Sequence, residues 1–154
     1  MAQEIERKFL VLGEEYRALG PCEHYRQGYL RRAGPATVRV RIAGEKAYLT
    51  IKGPTEGLSR SEFEYPIPLD DARELLDTLC DRPQIEKRRY LVRHKDHTWE
   101  VDEFLGENAG LVVAEIELER EDEPFEAPAW VGEEVTQDPR YRNAALSVKP
   151  YKSW

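Results

Sequence analysis

Long apolar runs are missing from this sequence. Nowhere do about eighteen apolar residues follow one another, so no transmembrane helix is expected. The N-terminus lacks the basic start and apolar centre of a signal peptide. Cysteine is scarce: Cys22 and Cys80 are the only two. Without secretion they read as reduced thiols, not a disulfide, which fits a cytoplasmic protein. His24, His94 and His97 have no recognisable metal-ligand spacing. His94 and His97 flank a turn, where a surface role is the rule. Positive charge is in deficit too, with 23 Lys and Arg against 30 Asp and Glu, a net charge of −7. That balance argues against a nucleic-acid-binding surface. No Ser, Cys or His constellation points to a covalent intermediate. Linkers, repeats and low-complexity tracts are absent, so residues 1–154 read as one domain with room for a core.

What the sequence has in abundance is alternation. Apolar and charged residues exchange with period two, which predicts strands over 3–11, 24–31, 36–43, 46–53, 60–67, 85–94, 98–104 and 111–120. "IAGEKA" (42–47), with Gly44 at the turn, and "RHKDHT" (93–98) read as hairpin connections. Short links imply antiparallel neighbours. Helices are few. "PLDDARELLDTL" (68–79) places Ala72, Leu75, Leu76 and Leu79 on one stripe, with Asp70 or Asp71 as cap. "DPRYRNAAL" (138–146) offers Asp138 as N-cap and Pro139 at the first helical position. A short helical turn is expected around Glu14–Leu19, and "EREDEPFEAPAW" (119–130) reads as a connection.

The charges in the strands are arranged by sign. "EIERKFLV" (4–11) sets Glu4, Glu6 and Lys8 two residues apart, so all three project to one side of a strand. Neighbouring members of such a set are about 6.6–6.8 Å apart. Like-sign doublets recur at Arg39 and Arg41, Glu62 and Glu64, Lys87 and Arg89, Glu100 and Asp102, and Glu115 and Glu117, and Lys52 adds one more base. The opposite faces of most of these strands are apolar. A half-exposed sheet also alternates, but its wet face normally mixes signs, because like charges placed side by side repel. Six strands with like-sign doublets favour a binding surface.

Period two does not say which face points inward. An ordinary barrel or sandwich would leave all these charges in solvent. An eight-stranded barrel turned the other way would enclose eight acids and six bases. A dry core could not hold them, since each buried ion costs several kcal/mol before pairing. The inward version therefore requires a wet, open-ended tunnel with charged contents. Clustered carboxylates without Cys or His select hard cations such as Mg²⁺ or Mn²⁺. Arg and Lys clusters hold phosphate oxygens. Together they fit a metal–polyphosphate complex.

These residues resemble a known family. "EIERKFLV" is similar to the Glu-x-Glu-x-Lys signature of the triphosphate tunnel metalloenzymes, also called the CYTH superfamily. "TVRVRI", "YLTIKG", "SEFEYPI", "EKRRY", "WEVDEF", "AEIELE" and "YRNAALS" follow in the family's order over essentially the whole chain. The resemblance implies a mainly β (α+β) fold: an eight-stranded antiparallel closed barrel with a charged interior and a few flanking helices. It implies that Glu4, Glu6 and Glu117, with Glu115, bind metal, and that Asp102 helps with a second ion. Lys8, Arg39, Arg41, Lys52, Lys87 and Arg89 would grip the triphosphate, and Glu4, Glu6, Lys8, Arg41, Lys87 and Glu117 would carry the reaction. Glu62 and Glu64 would orient the bases or bind metal weakly. Tyr29 and Lys149 stand between a place at the tunnel mouth and simple packing. The family includes class IV adenylyl cyclases and thiamine, RNA and inorganic triphosphatases. The short length and the "IERKFLV" start resemble the compact bacterial branch, which tends to hydrolyse inorganic triphosphate. The expected partner is therefore inorganic triphosphate, or an organic triphosphate, with no nucleic acid and no membrane. A homodimer is left open. A non-catalytic polyphosphate binder is the reading from another class, disfavoured because such a protein would discard the metal carboxylates.

Overall fold

Alternating strands need an apolar cover on one side and water or paired ions on the other. The computed structural model, which describes residues 3–31 and 34–154, meets both demands by rolling the sheet up. Among the described residues the strands are β1 (Gln3–Val11), β2 (Cys22–Arg31), β3 (Thr37–Ala43), β4 (Lys46–Lys52), β5 (Ser59–Ile67), β6 (Ile85–His94), β7 (His97–Phe104), β8 (Val112–Glu117) and β9 (Val131–Glu134). Their spatial order is β5-β4-β3-β2-β6-β7-β8-β1. β1 then pairs with β5 through Gln3↔Ser61, Glu4↔Arg60 and Ile5↔Ser59, which closes an eight-stranded barrel. Every pairing is antiparallel.

The eight expected strands are all present, most within two residues of their expected ends. The last is shorter than expected, because β8 ends at Glu117. β9 was not anticipated. It is four residues long and lies beside the second half of β1, at Phe9↔Glu134 and Val11↔Val131. So short a segment carries no periodicity of its own. Two turns behave as read: Gly44 takes φ +60 between the paired Ala43 and Lys46, and Lys95 takes φ +56 between His94 and His97.

The inner face is the charged one, so the apolar cover lies outside the barrel. Helix α1 (Leu69–Thr78) buries Ala72 and Leu76 against Val40 and Ala47. Burying one such leucine is worth about 2 kcal/mol. Pro68, not Asp70 or Asp71, holds the N-cap position, and no side chain caps the helix. Both acids fall in its first turn, where they complement the helix dipole. A second cluster packs Phe9, Trp99, Ile116 and Trp130 on the outside of β1, β7 and β8. Both cysteines are free, Cys22 exposed and Cys80 buried. No helix among the described residues is long and apolar enough to cross a membrane.

The expected helix over 138–146 is broken in two. Asp138 caps a 3-10 turn at Pro139–Tyr141, accepting from the Arg140 amide at 3.1 Å. Arg142 is extended (φ −73, ψ 139), and α2 (Asn143–Leu146) follows. The break lets three consecutive residues, Arg142, Asn143 and Ala144, face the barrel interior, which one continuous helix could not do. Behind them the barrel's inner face turns apolar. Leu10, Ile85, Phe104 and Val113 pack with Leu146, Tyr141 and Tyr151 into a dry cluster. The charged lining gives way to apolar packing at this end of the barrel.

Candidate active site

A cavity of about 690 Å³ runs inside the barrel. The period-two pattern delivers its walls strand by strand. β1 contributes Glu4, Glu6 and Lys8, β3 Arg39 and Arg41, β4 Lys52, β5 Glu62 and Glu64, β6 Arg89, β7 Glu100, and β8 Glu115 and Glu117. Register brings the acids of β1 and β8 together: Glu6 lies opposite Glu117 and Lys8 opposite Glu115. On the other side β2 and β4 flank the arginines of β3, with Gln27 opposite Arg41 and Thr50 opposite Arg39.

The guanidinium groups are each held by side chains from other strands. Arg39 Nη2 donates to Thr50 Oγ1 at 3.2 Å and to Glu64 Oε2 at 3.5 Å, and its buried Nε has no hydrogen-bond partner. Arg41 Nε donates to Gln27 Oε1 at 2.8 Å. Arg89 reaches both oxygens of Asp102, at 2.8 and 2.9 Å, and Glu100 at 3.1 Å. The Tyr25 ring receives three cations on its π system, with Arg41 Cζ at 5.0 Å, Arg89 Cζ at 4.8 Å and Lys87 Nζ at 5.9 Å. Burial, with Arg39 and Arg89 close by, brings the Arg41 guanidinium down to about 10, still charged at neutral pH.

Two expected site residues lie behind the cavity wall. Lys87 is 0% exposed and Asp102 1% exposed, and neither lines the cavity. Lys87 Nζ donates to Asp102 Oδ2 at 2.8 Å and to Asn143 Oδ1 at 3.0 Å. Burial, helped by Arg89 and Arg41, lowers the Lys87 ammonium to about 7. Burial would raise the Asp102 carboxyl, but Arg89 and Lys87 hold it far below the usual carboxylate range.

The open carboxylates show the reverse. Burial, with Glu115 and Glu4 nearby, pushes Glu6 up to about 8. Burial raises Glu4 as well, although Lys52 Nζ sits 2.9 and 3.1 Å from its two oxygens. Glu117 is raised by burial and by Glu4 and Glu100. Glu115 is different: burial is outweighed by Lys8, whose Nζ is 3.6 Å away, and the carboxyl is held at about 2. Among the described residues no three acidic, cysteine or histidine side chains are already gathered around one point. The donor set nonetheless fits a hard divalent cation, because Glu4, Glu6 and Glu117 offer carboxylate oxygens whose pKa values are raised above the usual range.

Several lining residues escaped the sequence reading. Arg60 shares the inward face of β5 with Glu62 and Glu64, and its Nε donates to the Gly53 carbonyl at 3.0 Å. It precedes the acid doublet by two residues, and the same alternation that found the doublet would have found it. Tyr25 lines the cavity from β2, and the buried Gln27 two residues on pairs with Arg41, but a search for charge passes over both. Arg142 and Asn143 belong to a broken helix with no period. Of the two ambiguous positions, Tyr29 is buried and lines the cavity, whereas Lys149 is exposed and does not.

The chain also resembles known proteins along its length. A family profile, the CYTH domain, matches residues 2–148. The inorganic triphosphatase of Acetivibrio thermocellus is 52% identical over 154 residues, covering 100% of this chain and 99% of that protein. The inorganic triphosphatase of Nitrosomonas europaea is 37% identical over 153 residues, with 94% and 97% covered. A crystal structure of an inorganic triphosphatase superposes with a TM-score of 0.66 at 34% identity, covering 94% of this chain and 97% of the other.

Proposed function

The chain belongs to the CYTH family, and from that premise we propose that it hydrolyses inorganic triphosphate to pyrophosphate and phosphate inside its barrel. The observation that carries this reading is the opposition of two walls in one cavity. Arginines with buried shafts stand on one side, and carboxylates raised above their usual range stand on the other. The choice of inorganic triphosphate rests on two relatives of that name that match nearly the whole chain.

Triphosphatases of this family are metal-dependent. Glu4, Glu6 and Glu117 would hold the ion, with Glu115 beside them, and Mg²⁺ or Mn²⁺ suits their oxygen donors. When bound, such an ion neutralises phosphate oxygens and lowers the pKa of a bound water. Arg39, Arg41 and Arg89 orient the phosphates through charge-assisted hydrogen bonds and stabilise the charge that builds on equatorial and leaving oxygens. Lys8 and Lys52 sit at the boundary between the walls, against Glu115 and Glu4, and would be available to the phosphates where those carboxylates hold a cation. Asp102 serves the site by holding Arg89 and Lys87, not by ligating an ion. The whole chain, 1–154, acts as one such domain.

Phosphate release from inorganic triphosphate, ATP, thiamine triphosphate and pyrophosphate, each with Mg²⁺, Mn²⁺ or EDTA, tests the reading. Inorganic triphosphate should be turned over fastest, and EDTA should stop it. A cyclic nucleotide formed from ATP faster than inorganic triphosphate is cleaved would overturn it.

A further inference from the structure

Lys87 and Arg41 lie on different strands and repel each other, yet one hydrogen-bonded chain links them. Arg41 Nε donates to Gln27 Oε1 at 2.8 Å, Gln27 Nε2 donates to Asn143 Oδ1 at 3.2 Å, and Lys87 Nζ donates to that same Asn143 oxygen at 3.0 Å. Only one orientation of the two amides works. A guanidinium and an ammonium can only donate, so each must meet an amide oxygen. Asn143 must turn its oxygen to Lys87, and Gln27 must turn its oxygen to Arg41. The Gln27 NH₂ is then left facing the Asn143 oxygen, which is where it points. Flipping either amide would set N–H against N–H in a site where Gln27 and Lys87 are both 0% exposed. The relay is thus a fixed brace with obligate donors at both ends. Its central acceptor is supplied by α2, near the end of the chain.

We propose that Gln27 and Asn143 are positioning residues for triphosphate hydrolysis: their paired amides set the placement of Arg41 and Lys87 against mutual repulsion. This rests on the triphosphatase reading above, since it assigns Arg41 to the phosphates, with Lys87 packed behind the cavity wall. Neither amide needs to touch the substrate. Asn143 acts purely as an acceptor in the relay, so an Asp at 143 offers the same oxygen to the same two donors, whereas a Leu of similar size offers none. Gln27→Met keeps the volume and removes the brace on Arg41 alone.

The test is steady-state hydrolysis of inorganic triphosphate with Mg²⁺, with circular dichroism and thermal melts on each variant. Asn143→Leu should lower kcat/KM by about 10- to 100-fold, as expected when a charged donor loses its buried acceptor. Asn143→Asp should recover to within about threefold of the unaltered protein. Gln27→Met should raise KM more than it lowers kcat, because Arg41 binds phosphate in ground and transition states alike. Gln27→Met and Asn143→Leu together should cost less than the product of the single losses, because one brace cannot be broken twice. The relay is overturned if Asn143→Asp is as impaired as Asn143→Leu, or if the two losses simply multiply. Wild-type constants in either folded variant lacking an acceptor would also overturn it. Should Asn143→Leu not fold, the recovery in Asn143→Asp and the KM of Gln27→Met decide the matter, and an unchanged KM sinks the idea. An unaltered protein inert toward triphosphate overturns the functional reading instead, so the two failures are distinct.

Discussion

Asp102 and Glu6 point into the same barrel and are in opposite situations. Asp102 is sealed away with two bases on its two oxygens and is ionised far into acid. Glu6 lines the open cavity among other carboxylates and is pushed up to about 8. Both are acids on inward-facing strand positions, and sequence periodicity treats them alike. The difference teaches that a carboxylate already neutralised by its own protein is scaffolding. One that the fold leaves short of counter-charge is waiting for something from solution. The raised Glu6 and Glu117 are of the second kind, and Glu4, raised although Lys52 sits on its oxygens, lies between the two.

The sharpest way to break this contrast is to remove each charge in turn. Glu6→Gln should lower metal-dependent phosphate release by about 100-fold or more, since an ion would lose a ligand. The metal-free variant should melt at a higher temperature than the unaltered protein at pH 8. Glu6 has a folded-state pKa above its unfolded value, so its ionisation costs the folded protein stability progressively as pH rises from about 4.5 to about 8. A neutral amide escapes that cost. A lower melting temperature at pH 8 would place Glu6 with Asp102 instead.

Asp102→Asn should do the opposite, lowering stability by about 3–5 kcal/mol in urea unfolding because two buried cations lose their shared counter-ion. The sign of the pH effect also reverses. The Asp102 contribution, from a depressed pKa, is present above the ordinary carboxylate range and is lost as pH falls below it. The destabilisation of Asp102→Asn relative to the unaltered protein should therefore shrink in strong acid. Next in size, Arg41→Ala should raise KM for triphosphate by about 30-fold, roughly 2 kcal/mol of charge-assisted binding, while Mg²⁺ affinity by calorimetry changes little. The smallest effect is on metal affinity itself. At pH 7 an ion must displace the Glu6 proton, so Mg²⁺ should bind more tightly at pH 8 than at pH 6 and release protons measurable by calorimetry in buffers of different ionisation enthalpy. Glu6→Gln should flatten that slope.

Most of the barrel was legible because period-two alternation is a strong signal, and Glu4, Arg41 and Glu117 all emerged from it. Their inward direction was not, since turning every strand over leaves the pattern unchanged, and only the family resemblance chose between the two. Asp102 could not be told from Glu6 because the distinction lies in partners on other strands. Gln27 and Asn143 stayed hidden because neutral amides leave no mark in charge patterning, and Asn143 also sits beyond a helix break set by tertiary packing. β9 was missed because four residues show too little alternation to register.

The seam of the barrel has a consequence for how the chain is made. β1, the first strand synthesised, has its neighbours in β5, β8 and β9, whose residues lie some 50 to 130 positions later. A nascent chain halted before residue 112 would carry Glu4 and Glu6 on a strand with one flank unpaired. High contact order of this sort places folding in the slow, millisecond-to-second range. The strand bearing the acidic signature gains its second full edge only after β8 has been made, and Glu6 meets Glu117 only when the ring shuts.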